Sequence, residues 1–451
     1  MSSIEQYTSL YNDNHSQLSA GCGPALNDMR HSAFEALQGQ QLPDRDTEGF
    51  ERTSIDEMFA PDYGVNINRL QLPCDVAAAF KCGVPNVSTL LAVMVNDRFT
   101  PSTAIVNNLP QGVTVMSLRE ASLRYPDQIK SYYGQCATLD SPGTALNTLL
   151  AQDGVYIHID AGVNVSRPIQ IVTLTSVPVP MLTVRRMLIV AERGANVSIL
   201  LCDHTTTRDV TALTSQVVEV IAKADSHIDL CDIEETHQLQ SRYNQVYVTQ
   251  HDNSDVALTG MTLHNGTTRN EYRVSIEGTK CKCQLDGIAI GNGTQHIDNS
   301  SDVIHRAPHS TSHQLFKYVL DDEARGAFEG SIQVTPGAPH TEAYQSNRNI
   351  LASTAARMHT KPQLLIYNDD VKCSHGATTG QLDDRALFYM QSRGIPLQQA
   401  RMMLMQAFTA EVIDTVRVEA VRDRLRHLVE RRLSGLDSHC NECSSTCQTI
   451  S

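Results

Sequence analysis

The chain has 451 residues, a net charge of −14, no tryptophan and 5% aromatic residues, enough material for one long solenoid with appendages or about three ordinary domains. Its basic residues form no long patch interleaved with aromatics, which excludes a nucleic-acid role. The longest apolar run, SVPVPMLTVRRMLIVA, is split by Arg185 and Arg186, so no segment is expected to span a membrane.

In chain order, the polar start MSSIEQYTSLYNDNHSQ does not read as a signal peptide. The twelve cysteines are spread thinly, which predicts a reducing, cytoplasmic setting and not a disulfide framework. Cys74, Cys82, Cys136 and Cys202 stand alone and read as small buried or half-buried apolar residues.

Residues 1–90 are expected to be helix and loop. Leu26, Met29, Ala33, Phe34 and Leu37 have helical spacing, and Gly39 is a natural stop. Residues 91–372 are expected to form a β-solenoid core. From about 153 to 360, segments such as MLIVAERGANVSILLC and YRVSIEGTKCKCQLDGIAI share one pattern: an alternating strand, a turn and a second strand. The turns, near Asn196, Asp225, Asn253, Lys280 and Ser310, recur every ~27–30 residues, a spacing typical of stacked repeats. No helical patterns separate the strands, which argues against a doubly wound α/β sheet. A sandwich of hairpins is the alternative, but the number and even spacing of strands favour a β-helix.

Residues 373–436 are expected to be helical. Asp383 or Asp384 caps a first helix that Gly394 ends, and Pro396 suits the first turn of a second. Leu397, Ala400, Leu404, Ala407, Phe408 and Val412 form its apolar stripe. Met402, Met403 and Met405 around that stripe are either an adaptable contact or simply core. A third helix has its seam at Val418, Val421, Leu425 and Leu428, its stop at Gly435 and its arginines on a solvated face. Residues 437–451 read as a tail.

The chain lacks a phosphate-binding loop, a nucleophile elbow and a zinc-protease motif. His296, His305, His309 and His313 fall close together, but in strands and turns such histidines are more simply structural or solvent-facing. In the tail, Cys440, Cys443 and Cys447 follow His439 with metal-ligand spacing for zinc or an iron–sulfur cluster, against the plainer reading of a loose tail with free thiols. Cys373 and His375 stand two residues apart just before a helix. A metal or cluster site, a reactive pair and an incidental loop all remain open there.

QHIDNSSDVIHRAPHSTS, GAFEGSIQVTPGAPHTEAYQSNRNILAS and CSHGATTGQLDDRALFYMQSRGI resemble, in order and spacing, the SufB/SufD family of scaffold subunits in Suf iron–sulfur cluster assembly. LPDRDTEGF is similar to the family's N-terminal segment, with Phe50 where tryptophan is usual. Members of the SufB branch carry Glu-His-Glu where this chain has Cys373-Ser374-His375, and a cysteine where it has Asn347, so the chain resembles the SufD branch.

The resemblance implies a mainly β protein: a right-handed parallel β-helix flanked by helical parts. It implies a non-catalytic scaffold that works with a SufB-like chain and a SufC-like ABC ATPase. It places a transient iron–sulfur cluster, shared with the partner, at Cys373 and His375. The ATPase is expected to contact Leu387, Tyr389, Arg393, Met403 and Phe408. Flavin binding is left open, as is a homodimer when the chain is isolated. A SufB-like homodimeric scaffold and a β-helix carbohydrate-active enzyme are the alternatives, the latter wanting secretion and a groove of paired carboxylates.

Overall fold

The computed structural model describes residues 2–72, 74, 89–100 and 108–435. Its centre is a parallel β-solenoid. A first set of strands opens it: β1 (Leu90–Val95), β2 (Arg98–Thr100), β3 (Val113–Ser117), β4 (Gly154–Ile159) and β5 (Ile169–Thr175). The coils proper follow: β6 (Met181–Ala191), β7 (Asn196–Thr205), β8 (Ala212–Ala222), β9 (His227–Glu235), β10 (Gln240–Gln250), β11 (Asp255–His264), β12 (Thr267–Ile276) and β13 (Lys282–Gly291). The last are β14 (His296–His305), β15 (Thr311–Leu320), β16 (Arg325–Val334), β17 (Thr341–Leu351), β18 (Arg357–Ile366) and β19 (Val371–Gly380). From β4 onward even strands lie in a 9-stranded sheet and odd strands in a 10-stranded sheet. Each strand pairs in parallel with the next strand but one, so Asn196, His227, Asp255, Lys282, Thr311 and Glu342 stand in one row.

The corners explain the recurring polar residues. Asp225, Asn253, Lys280, His309 and His340 have φ of 63°, 59°, 56°, 62° and 58°. Each donates its backbone N–H to the following coil, for example Asn253 to the Thr279 carbonyl at 2.8 Å and His340 to that of Asp370 at 2.7 Å. Asp225, Asn253 and Lys280 are the expected turn residues. At the other two turns the left-handed residue is Gly194 or His309, slightly before Asn196 and Ser310.

Alternation sends Val197, Ile199, Ile228, Leu230, Val256 and Leu258 inward from one sheet to meet Met187, Ile189, Val218, Val220, Val246 and Val248 from the other. The interior is not wholly apolar. Buried Arg185 donates to Asp203 at 2.8 Å, and buried Arg242 donates to Asp232 at 2.7 Å. Asn244 donates to Asp232 and to Asn270, both at 3.1 Å. Asn270 donates to Asn299 at 2.9 Å, and Asn299 to the Tyr318 hydroxyl at 2.6 Å. Asn244, Asn270 and Asn299 are register partners, so the ladder climbs one coil at a time.

Helices clothe the outside. α1 (Ser3–Ser19) and α2 (Pro24–Ala36) come first, followed by the short α3 (Ile55–Phe59). In α2 Leu26 and Ala33 are buried, with Leu37 just beyond it, and Gly39 has φ 72°. Between β3 and β4 lie α4 (Leu118–Arg124), α5 (Pro126–Tyr132) and α6 (Pro142–Leu150), so helices interleave with the first strands. Leu146 and Leu149 of α6 join Tyr7, Leu37 and Phe59 over Leu182, Leu213 and Tyr243 of the 9-stranded sheet. The segment bearing Phe50 lies on that same face: the Arg269 guanidinium covers the Phe50 ring at 4.7 Å, and Thr53 donates to Asp298 at 2.6 Å.

At the C-terminus α7 (Asp384–Ser392), α8 (Leu397–Ile413) and α9 (Glu419–Leu433) follow the solenoid. The Asp383 carboxylate accepts from the Arg385 N–H at 2.9 Å, making it the cap, and Gly394 and Gly435 have φ 86° and 70°. Val412, Ile413, Val421, Leu425 and Leu428 pack on Cys231, Ile233, Met261 and Ile288 of the 10-stranded sheet. Among the described residues no helix is long and apolar enough to cross a membrane.

Candidate functional site

The solenoid ends at β18 and β19, each the last strand of its sheet. Among the described residues each pairs on one side only, with β16 and β17 respectively, so the other edge of each presents backbone groups that no described strand pairs. The Cys373-Ser374-His375 stretch lies inside β19, as strand and not as the loop before a helix. Cys373 pairs with Ala343, and His375 with Gln345. Cys373 packs beside Ile332, Val334, Ala338 and Ala343, which marks the inward face. His375, two residues on, is on the same face. It is exposed because no further coil covers it.

Burial pushes the Cys373 thiol upward, opposed by a backbone hydrogen bond at Ala343. It is therefore a thiol at neutral pH, and loses its proton on binding a metal. Asn347 is buried one row further, where its amide donates to the Phe316 carbonyl at 3.3 Å and its oxygen accepts from Asn349 at 2.7 Å. Its register partner is Ala377. The terminal coil thus offers one thiol and one imidazole on a single face.

A second surface lies on the helices. Phe388, Tyr389, Leu397 and Met403 are 74%, 60%, 48% and 40% exposed. Arg393 lies over the Tyr389 ring at 5.3 Å. Leu387 is buried. Phe408 is half-buried: Lys317 of β15 covers its ring at 4.5 Å and donates to its carbonyl at 2.7 Å. Lys317 also pairs with Glu411, which Arg348 meets at 3.1 Å, so these ions fix α8 to the sheet. Arg417 does the same for the α8–α9 connection, meeting Asp255 at 2.6 Å and Asp229 at 3.2 Å. The stripe expected on α8 is rotated: Ala400, Met405, Thr409, Val412 and Ile413 are buried, whereas Leu397 and Ala407 face outward. Of the methionines, Met405 is core, Met402 is half-buried and Met403 is exposed.

The four clustered histidines are dispersed. His296 meets the Thr53 hydroxyl at 2.7 Å, and buried His305 meets that of Ser312 at 2.8 Å. His309 stacks on His340 at 4.6 Å, and His313 on Tyr344 at 5.1 Å. Among the described residues no group of three or more histidines, cysteines or acids has metal-binding geometry. Cys202 is buried and its thiol is pushed up to about 12 by burial, while Cys136 is half-buried. Cys82, His439, Cys440, Cys443 and Cys447 lie outside the described residues. Phe388 is the exposed residue that the sequence reading passed over. Its signal is ALFYM, more apolar residues than a nine-residue helix can bury on one side.

Two family domains cover this architecture. Residues 1–171 match the SufBD protein N-terminal region, and residues 173–408 match the SufBD core domain of SUF system FeS cluster assembly. The chain belongs to the SufBD family. An iron–sulfur cluster assembly SufBD family protein of Synechocystis is 29% identical over 415 residues, 90% of this chain and 91% of the relative. The iron–sulfur cluster assembly protein SufD of Escherichia coli is 35% identical over 173 residues, 38% of this chain and 41% of that protein. SufD of Bacillus subtilis is 25% identical over 326 residues, 72% and 74% of the two chains. Membership assigns the chain to iron–sulfur cluster assembly, and the SufBD core match spans most of the solenoid and runs through β19, α7 and most of α8.

Proposed function

We propose that this SufBD protein is the SufD-type half of a two-chain scaffold, with a SufB-like chain docked on the open edges of β18 and β19. The observation that carries the reading is the coincidence of those edges with Cys373 and His375 on one face. Edge strands pair readily with a second chain. Thiolates are the usual ligands of iron–sulfur clusters, and histidine replaces them at some irons. Two ligands are too few to hold a cluster, so the remainder come from the docked chain or from sulfide. The cluster is cargo, built and handed on, and the chain has no turnover of its own.

The exposed Phe388, Tyr389, Leu397 and Met403, with Arg393, form the contact for a SufC-like ABC ATPase. Leu387 and Phe408 support that surface from below. The setting is the reducing cytoplasm, in keeping with the unbridged thiols of Cys136, Cys202, Cys231 and Cys283.

The test is anaerobic co-expression with the SufB-like chain and the ATPase of the same organism, followed by iron and sulfide assay of the purified complex. His375→Ala should leave the complex assembled and reduce its cluster. Tyr389→Asp with Met403→Asp should release the ATPase and leave the two-chain scaffold intact. Recovery of only a homodimer, with neither partner bound, would count against the reading.

A further inference from the structure

One coil below His375 lies a polar layer that the cluster site has not yet used. Gln345, the register partner of His375, is buried on the inward face. Its amide N–H donates to the Gln314 oxygen at 3.1 Å, and the Ser301 hydroxyl donates to that same oxygen at 2.7 Å. The Gln345 amide nitrogen is thereby anchored, and its oxygen is left buried with no donor. A buried acceptor without a partner is destabilising, because it has lost its bond to water. Across the lumen stands Gly330, where a Cβ would come within 2.3 Å of the Gln345 amide. The glycine leaves the space that this amide crosses. The residues capping this layer are Cys373, His375 and Ala377 of β19, and Pro362 over Gly330. Of these four side chains His375 alone carries an N–H, and it makes no hydrogen bond among the described residues.

We infer that Gln345 is a positioning residue: when the cargo docks, the His375 ring turns inward, the buried oxygen of Gln345 accepts its N–H, and the other ring nitrogen is aimed outward at the iron–sulfur cargo. The inference rests on the cluster-site reading of His375 and names what orients it. A neutral imidazole has one N–H and one lone pair, so fixing the first fixes the second. Partners of this kind set the tautomer of metal-binding histidines. Without one, the exposed ring of His375 would sample rotamers and tautomers alike.

The experiment uses the full chain with ¹⁵N-labelled histidine for NMR at fixed pH, which reads the His375 tautomer, and the anaerobically purified complex for cluster content. Gln345→Met keeps length and packing but removes the acceptor. Gln345→Glu keeps the acceptor and adds charge. The expected result for Met is an altered His375 tautomer and about 10-fold less cluster. Glu should keep the wild-type His375 tautomer and restore cluster. The double variant Gln345→Met with His375→Ala should be no worse than His375→Ala alone.

If His375→Ala keeps its cluster, the cluster-site reading itself falls. If His375→Ala loses cluster while Gln345→Met keeps it with an unchanged tautomer, the role of Gln345 is overturned and the site stands. If Gln345→Met does not fold, Gln345→Glu decides: loss of the wild-type His375 tautomer, or of the cluster, overturns the proposal.

Discussion

The two ends of the solenoid are finished differently. At the first end β2 folds back antiparallel on β1, and β3 lies antiparallel on β4. Helix α4 packs beside β4 there, and Arg69 pairs with buried Asp153, just before β4, at 2.8 Å. Short antiparallel edges of this kind discourage further strands. At the last end β18 and β19 run parallel, full-length and, among the described residues, uncovered, and their inward rows expose His375. Folding completes one end within the chain and leaves the other unfinished. Exposure of chemistry-bearing residues at the unfinished end is a consequence of where the coils stop.

The comparison breaks hardest in the interior. Arg242→Leu strips the guanidinium from buried Asp203 and Asp232, and should cost about 3–5 kcal/mol in denaturant unfolding. A loss under 1 kcal/mol would show that the interior ions carry little. Next in size is protection of the last coil. Backbone amides on the outer edges of β18 and β19 should exchange fast in the isolated chain and slow strongly on mixing with the SufB-like partner. Those of β6–β10 should not change. Uniform protection in the isolated chain would contradict an open end.

The third prediction concerns pH and separates the middle of the solenoid from its tip. Burial raises Glu234 to about 7, Asp97 to about 6 and Asp286 to about 6. An acid with its folded pKa above its unfolded one holds the proton more tightly when folded. Its stabilising effect is full below the ordinary carboxylate range, falls as pH rises, and is gone above about 6 for the aspartates and about 7 for Glu234. His305, lowered to about 4 by burial, has the opposite slope between there and its unfolded value. The clean measurement is therefore a difference. Between pH 5 and pH 7.5 the midpoint of wild type should fall more than that of Glu234→Gln. Parallel curves would sink the claim. The smallest effect is expected at the exposed sites, His375 at the tip and Tyr389 on α7: His375→Ala and Tyr389→Ala should each change stability by about 0.5 kcal/mol or less.

The repeat was legible in the sequence because two local signals coincide. Alternation marks the strands, and Asp225, Asn253 and Lys280 mark corners that demand positive φ. The last strand was not legible as one. CSHGATTG has no alternating apolar residues, since only one neighbouring coil packs on it and nothing rewards apolar side chains there. The site residues emerged from family resemblance, and their shared face only from the register. On α8 the stripe was misread because the helix packs against both the sheet and α9, so apolar residues fall on more than one side. Phe388 was missed because a two-turn helix is too short for its period to separate core from surface.

A stack of near-equivalent coils has a problem of counting. Slipping one coil against the next by two residues keeps every apolar side chain inward. Hydrophobic burial alone scarcely distinguishes the slipped pairing from the native one. The interior ladder supplies the missing index. Arg242 of β10 meets both Asp203 of β7 and Asp232 of β9 in only one alignment; the asparagines from Asn244 to Asn299 add teeth to the same scale. A slipped coil would strand buried charges. The ladder thus works as a vernier, fixing how far along the stack each strand begins. It thereby sets which residues, Cys373 and His375 among them, reach the open tip.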